Sequence, residues 1–137
     1  MKLTIFPSLY DTQITADSTK EVAWQTLAKR LSKPEITTDK NSAKMFSGAT
    51  FKQDGKRCND DILEHNLLIL DIDDGWHPKL FIEEFSDLEF VLYTSYNHRW
   101  NKAEQKLDAE VMKFRVVLPL AKPVSPEHFK NMKTVLL

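Results

Sequence analysis

Residues 66–76, NLLILDIDDGW, decide how this chain reads. The run begins as a nearly continuous apolar stretch of strand length, as expected for a strand covered on at least one face. It ends by placing Asp71, Asp73 and Asp74 within four positions. Unpaired buried charge is costly, so acids at a strand end need partners or a metal. Side chains alternate along a strand, which sets Asp71 and Asp73 on one face about 6.6 Å apart. Asp74 points the other way or lies in the following turn. Leu68, Leu70 and Ile72 share the opposite face.

Downstream, HPKLFIEEF predicts a helix with Pro78 in its first turn and Leu80, Phe81 and Phe85 facing inward. EFVLYTS reads as a second strand, rich in β-branched and aromatic residues. After a polar segment, Asn97 to Glu110, KFRVVLPL reads as a third strand closed by Pro119. SPEHFKNMKTVLL then predicts a helix with Ser125 as cap, Pro126 first, and Phe129, Met132 and Leu136 on one face. The order strand, helix, strand, strand, helix is that of a ferredoxin-like (RRM-like) β-α-β-β-α-β unit without its last strand. The end, VLL, carries no helix stop signal, so the expectation is an α+β sheet incomplete at its C-terminus.

Upstream, KLTIF predicts a short strand stopped by Pro7. STKEVAWQTLAKRLSKP predicts a helix opened by a Ser18/Glu21 capping box and ended at Pro34, with Trp24, Leu27, Ala28 and Leu31 on its inner face. AKMFSGATF predicts a strand with a glycine irregularity, followed by the turn KQDGKR. The expected organisation is a small N-terminal α/β unit over residues 1–65 and the partial RRM-like unit over 66–137.

Composition narrows the function classes. The 137 residues suit one domain with a modest core. With 19 Lys and Arg against 20 Asp and Glu, no overall basic field announces a polyanion partner, although a local stripe can still hold nucleic acid. An apolar content of 42% argues against disorder. The single cysteine, Cys58, excludes an internal disulfide framework and a cysteine zinc cluster. No apolar run approaches the roughly 20 residues of a membrane span, and the N-terminal apolar stretch is too short for a secretory signal. A soluble, cytoplasmic protein without a membrane partner is expected.

Two carboxylates at the Asp71/Asp73 spacing can converge on hard cations such as Mg²⁺ or Mn²⁺. Equally, they can end a strand in solvent, because Asp–Gly is common turn chemistry. In the third strand Lys113 and Arg115 share a face opposite Phe114, Val116 and Leu118. A ferredoxin-like sheet has one face covered by helices and one free, so the acids and Arg115 are expected together on the free face. There Arg115 either matches phosphate oxygens with its guanidinium fork or forms a cross-strand ion pair with Asp71 or Asp73. Ser95, His98 and Arg99 close the middle strand, where a histidine can donate to a phosphate, and Tyr96 and Trp100 can stack on a base.

LLILDIDDG, FVLYTSYNHR and KFRVVLPLAKPVSPEHF, in that order, resemble phage- and plasmid-encoded members of the archaeo-eukaryotic primase superfamily, the primase-polymerases. The resemblance spans roughly residues 44–130. It implies a metal-binding Asp-x-Asp at Asp71 and Asp73, the catalytic pair, and nucleotide contacts from His98, with Ser95, Arg115 and Lys113 beside it. Two residues separate Ser95 from His98, and the family's third motif, a hydrophobic-Asp pair, would lie past Leu137. The implied partners are a single-stranded DNA template, nucleoside triphosphates, and a helicase domain or replication protein. Two other classes compete. One is a non-catalytic replication module that binds nucleic acid or protein. The other is a haloacid-dehalogenase-like phosphatase with Asp71 as nucleophile, a family that prefers Gly-Thr after its second Asp and needs a longer series of parallel strands.

Overall fold

A computed structural model of the chain describes residues 1–33 and 37–136. Its strands are β1 (Lys2–Phe6), β2 (Thr19–Glu21), β3 (Met45–Ser47), β4 (Ala49–Phe51), β5 (Ile62–Ile72), β6 (Val91–Thr94), β7 (Trp100–Asn101), β8 (Lys106–Leu107) and β9 (Phe114–Val124). Its helices are α1 (Trp24–Leu31), α2 (Pro78–Glu84) and α3 (Pro126–Leu136). The fold is α+β, and its main sheet is four-stranded in the order β4-β5-β9-β6. β5 and β6 both run antiparallel to β9 between them, so β5-α2-β6 is a split crossover of the ferredoxin-like kind. β4, from the N-terminal part, forms the edge of the sheet beside β5, pairing from Ile62 to His65.

Two apolar clusters sandwich this sheet. On one face α2 delivers Phe81 and Phe85 onto Leu70, Ile72, Phe114 and Val116. This is the helix-covered face expected from the alternation. On the other face Leu67, Ile69, Val117 and Tyr93 pack against Leu3, Leu27, Trp24 and Phe46 of the N-terminal unit. That face is therefore not free, contrary to expectation. The three-stranded sheet β2-β1-β3 and α1 cover it up to the end that bears Asp71. No helix among the described residues is long and apolar enough to cross a membrane.

Several local expectations give way to tertiary structure. Ser18 and Glu21 do not cap a helix. Thr19–Glu21 pairs with β1, Ser18 accepts from the Thr15 amide at 2.9 Å, and Glu21 binds the N-terminal ammonium at 3.0 Å. The helix starts at Trp24, because edge pairing and a partner for the terminal charge outweigh a local cap. Pro34 lies outside the described residues. β9 does not close at Pro119 but passes it, opposite Leu67, to Val124. Proline is tolerated there at a register irregularity of the ladder. Leu80 is exposed rather than inward, since Phe81 and Phe85 alone fill the contact. The polar segment holds the hairpin β7–β8. Ser125 caps α3 as expected, accepting from the His128 amide at 3.3 Å.

Two close approaches position the rest. Gly48 sits against Leu67, where an added Cβ would lie 2.6 Å from the Leu67 Cβ. We expect Gly48→Val to destabilise the chain by about 1–3 kcal/mol, read by urea unfolding. An unchanged midpoint would contradict the packing described.

α3 lies on the sheet through His65, stacked on Phe129 with centroids 3.7 Å apart. Burial, helped by Lys133, holds His65 below its ordinary pKa of 6.5. The unfolded chain therefore binds this proton more readily than the folded one. Stability should be full above pH 6.5 and fall as the pH drops from there towards the lowered native value. His65→Gln should flatten that part of the profile in thermal unfolding, whereas an identical slope in both proteins would refute it.

Candidate functional site

The β5–β9–β6 register builds the candidate site. Asp71 stands opposite Arg115, which stands opposite Tyr93, so one row of the sheet reads acid, base, phenol. The Arg115 fork closes on Asp71, with Nε donating to Oδ1 at 2.6 Å and Nη2 to Oδ2 at 3.1 Å. Tyr93 stands beside it on β6. Of the two roles open to Arg115, the cross-strand ion pair is the one formed. The Asp71 side chain keeps 56% of its surface exposed and that of Arg115 35%, so the pair sits at the solvent margin, where the N-terminal cover ends.

The electrostatics follow from that row. Burial pushes the Tyr93 hydroxyl above its ordinary pKa, against the opposing pull of Arg115. Burial alone would lower Arg115, but its hydrogen bond to Asp71 and the nearness of Tyr93 outweigh it and raise the guanidinium above its usual value. Arg115 therefore stays charged at any pH the folded chain meets.

The remaining predicted residues gather at the same end. β5 stops at Ile72, so Asp73 is not a strand residue in register with Asp71, as expected, but the first residue of the following turn. Gly75 in this turn takes φ +83°, a left-handed conformation suited to glycine. Across the sheet, the backbone of Lys113, just before β9, holds the β6 loop. Its carbonyl accepts from the Ser95 amide at 3.0 Å and the Ser95 hydroxyl at 3.3 Å. His98 Nδ1 lies 3.1 Å from both the carbonyl oxygen and the amide nitrogen of Lys113. In either tautomer that nitrogen is taken up by the backbone, which assigns any ligand contact to Nε2. Arg99 follows with φ +59°, its amide bound to the Val111 carbonyl at 2.8 Å. Tyr96 is half-exposed and donates its hydroxyl to the Thr38 carbonyl at 3.1 Å.

Asp71, Arg115, Ser95, His98 and Lys113 are thus brought to one end of the sheet, with Asp73 on the adjoining turn. Among the described residues no three His, Cys, Asp or Glu side chains form a group that could hold a metal ion. Tyr93 escaped the sequence reading although it lies two residues before Ser95 on the same strand face, a signal available in the alternation. Comparison of the chain with family models, curated proteins and solved structures returns no match.

The half-exposed geometry sets the strength of the ion pair. A double-mutant cycle on Asp71→Asn and Arg115→Met should give a coupling of about 0.2–1 kcal/mol, the range of exposed pairs. A coupling above about 3 kcal/mol, as for a buried pair, would make it a structural staple rather than a pair open to a ligand.

Proposed function

We propose that this chain is a DNA primase-polymerase-like domain of a phage or plasmid replication protein, part of a metal-dependent nucleotidyltransferase. Its substrates would be nucleoside triphosphates on a single-stranded DNA template, and a helicase domain or replication protein its companion. One observation carries the reading: a split β-α-β crossover whose register brings Asp71, Ser95, His98, Lys113 and Arg115 to one sheet end, in the chain order that the primase-polymerase motifs take.

Asp71 and Asp73 are the residues that would hold Mg²⁺ or Mn²⁺. Both are exposed, and Arg115 occupies only two of the roughly four lone-pair positions of the Asp71 carboxylate. That donor set suits Mg²⁺, which binds through one or two carboxylates and takes its other ligands from water and substrate phosphates. It does not form a cage for a free ion. The bound metal would supply positive charge for an in-line displacement at phosphorus.

The chain's own residues do the positioning. Arg115, pre-oriented by Asp71, presents N–H donors at the spacing of phosphate oxygens. His98 Nε2 offers a further donor, its ring fixed by Lys113. Lys113 adds charge at the same end. The Asp71–Arg115 pair also favours a second reading, a non-catalytic module that binds nucleic acid or protein, because the carboxylate already has a cationic partner without a metal. The phosphatase alternative loses its scaffold, since every strand pairing of the main sheet is antiparallel.

The test is incorporation of labelled nucleotide on a primed template by the full chain with Mn²⁺. Asp71→Ala and Asp73→Ala should each lower incorporation by about 10²–10³-fold, the cost of removing one group that stabilises developing charge. Equal incorporation by wild type and both variants would end the nucleotidyl-transfer reading. Absence of incorporation in all three, with no nucleotide binding, would select the non-catalytic module.

A further inference from the structure

A second surface lies beside this row and shares only Asp73 with it. The turn after β5 and the segment before β9 enclose an open cleft of about 360 Å³, lined by Asp73, Asp74, Trp76, Glu110, Val111 and Met112. Such a volume is of ligand size. Trp76 is its aromatic wall. The indole is braced by Phe81 at 5.9 Å and Phe85 at 6.0 Å between centroids, yet remains 40% exposed. Val111 and Met112 add apolar surface to the lining. His77 also lines the cleft, its Nδ1 accepting from the Lys79 amide at 3.1 Å. Among the described residues no ion pair forms with Asp73, Asp74 or Glu110, so three carboxylates stand near an exposed ring without a salt-bridge partner.

The charge extends beyond the cleft. From Asp71 to Glu89 the chain has seven carboxylates and one basic side chain, Lys79, apart from His77. The other 118 residues hold 18 Lys and Arg against 13 Asp and Glu. The same acidic segment exposes Leu80, Ile82 and Leu88 at 56%, 48% and 47%. These leave apolar side chains exposed within a stretch of one charge sign.

We propose that this face docks a basic segment of a partner protein, seating one arginine of that segment over Trp76 in the cleft. The occupant follows from complementarity. A guanidinium stacks flat on an indole and reaches carboxylates with its edge donors, and Asp73, Asp74 and Glu110 supply carboxylates in the same cleft. A lysine ammonium satisfies the charge but not the flat wall. With no metal bound at Asp73, a phosphodiester chain is repelled by the same carboxylates. The proposal goes beyond nucleotidyl transfer and needs neither metal nor nucleotide.

The experiment is fluorescence anisotropy of a labelled peptide, acetyl-(Gly-Arg)₄-amide, titrated with the full chain in buffer free of divalent metal and nucleotide. Acetyl-(Gly-Lys)₄-amide is the comparison. The expected result is saturable binding that favours arginine over lysine by about fivefold or more, a difference of roughly 1 kcal/mol. Trp76→Ala and Glu110→Gln should each weaken it by a similar factor, and Trp76→Phe should largely restore it, which separates loss of the ring from loss of the fold. Equal affinity for both peptides, or Trp76→Ala binding as wild type does, would reduce the face to unspecific charge and overturn the proposal. So would self-association of the chain with no affinity for either peptide, since the cleft would then belong to a second copy. Because incorporation and peptide binding are read separately, either conclusion can fail without the other.

Discussion

The antiparallel register of β5 against β9 is the constraint from which the rest of the arrangement follows. A slip by one residue would turn every side chain of β5 to the other face. Leu70 and Ile72 would leave Phe81 and Phe114, and Asp71 would enter the apolar layer under α2. The register is fixed twice over. The α2 cluster holds one face, and the contact of Leu67 and Val117 with Leu3 and Leu27 holds the other. The Asp71–Arg115 pair is a consequence of that register more than its cause, because an exposed pair contributes little by itself.

The ladder that sets the pair also places its neighbours. Tyr93 completes the row from β6, and the Lys113 backbone, where β9 begins, anchors both Ser95 and His98. Loop side chains are thereby tied to a rigid element, the condition for holding a ligand in a defined pose. The N-terminal unit contributes by ending where it does. It covers Leu67, Ile69 and Tyr93 but leaves the Asp71 carboxylate in water. A sheet with one face wholly open would expose the apolar part of that row. A fully covered one would bury an ion pair at a cost that attraction seldom recovers.

How much of this was legible varies with the range of the interactions. The apolar run of β5, the helix at Pro78 and the helix behind Ser125 were readable, because local periodicity and capping decide them. The helix start at Ser18 was misread. Its capping pattern is real in composition, but Thr19–Glu21 is claimed by β1, a partner 17 residues away in sequence. Leu80 was misassigned for a similar reason, since which flank of a short helix is buried depends on the sheet beneath it. Asp73 shared its face with Asp71 only if the strand continued, and the strand stops one residue earlier. The cleft at Trp76 left no trace in the sequence, because Glu110, Val111 and Met112 reach it only through the fold of the β7–β8 segment. The ion pair was one of two readings open to Arg115, and residue types alone do not choose between a carboxylate and a phosphate.

The central claim is that Arg115, held by Asp71, is the group that meets phosphate. The most direct measurement is the ¹⁵N–¹H signal of the Arg115 Nε, followed while inorganic triphosphate is added to the folded chain. Arg57 serves as internal reference, being fixed against Phe6 and the Leu9 carbonyl away from this end. The account predicts a saturable shift of Arg115 with Arg57 unmoved, and loss of that response in Asp71→Asn as the fork loses its orientation. An Arg115 signal that stays still while other basic residues respond would contradict it.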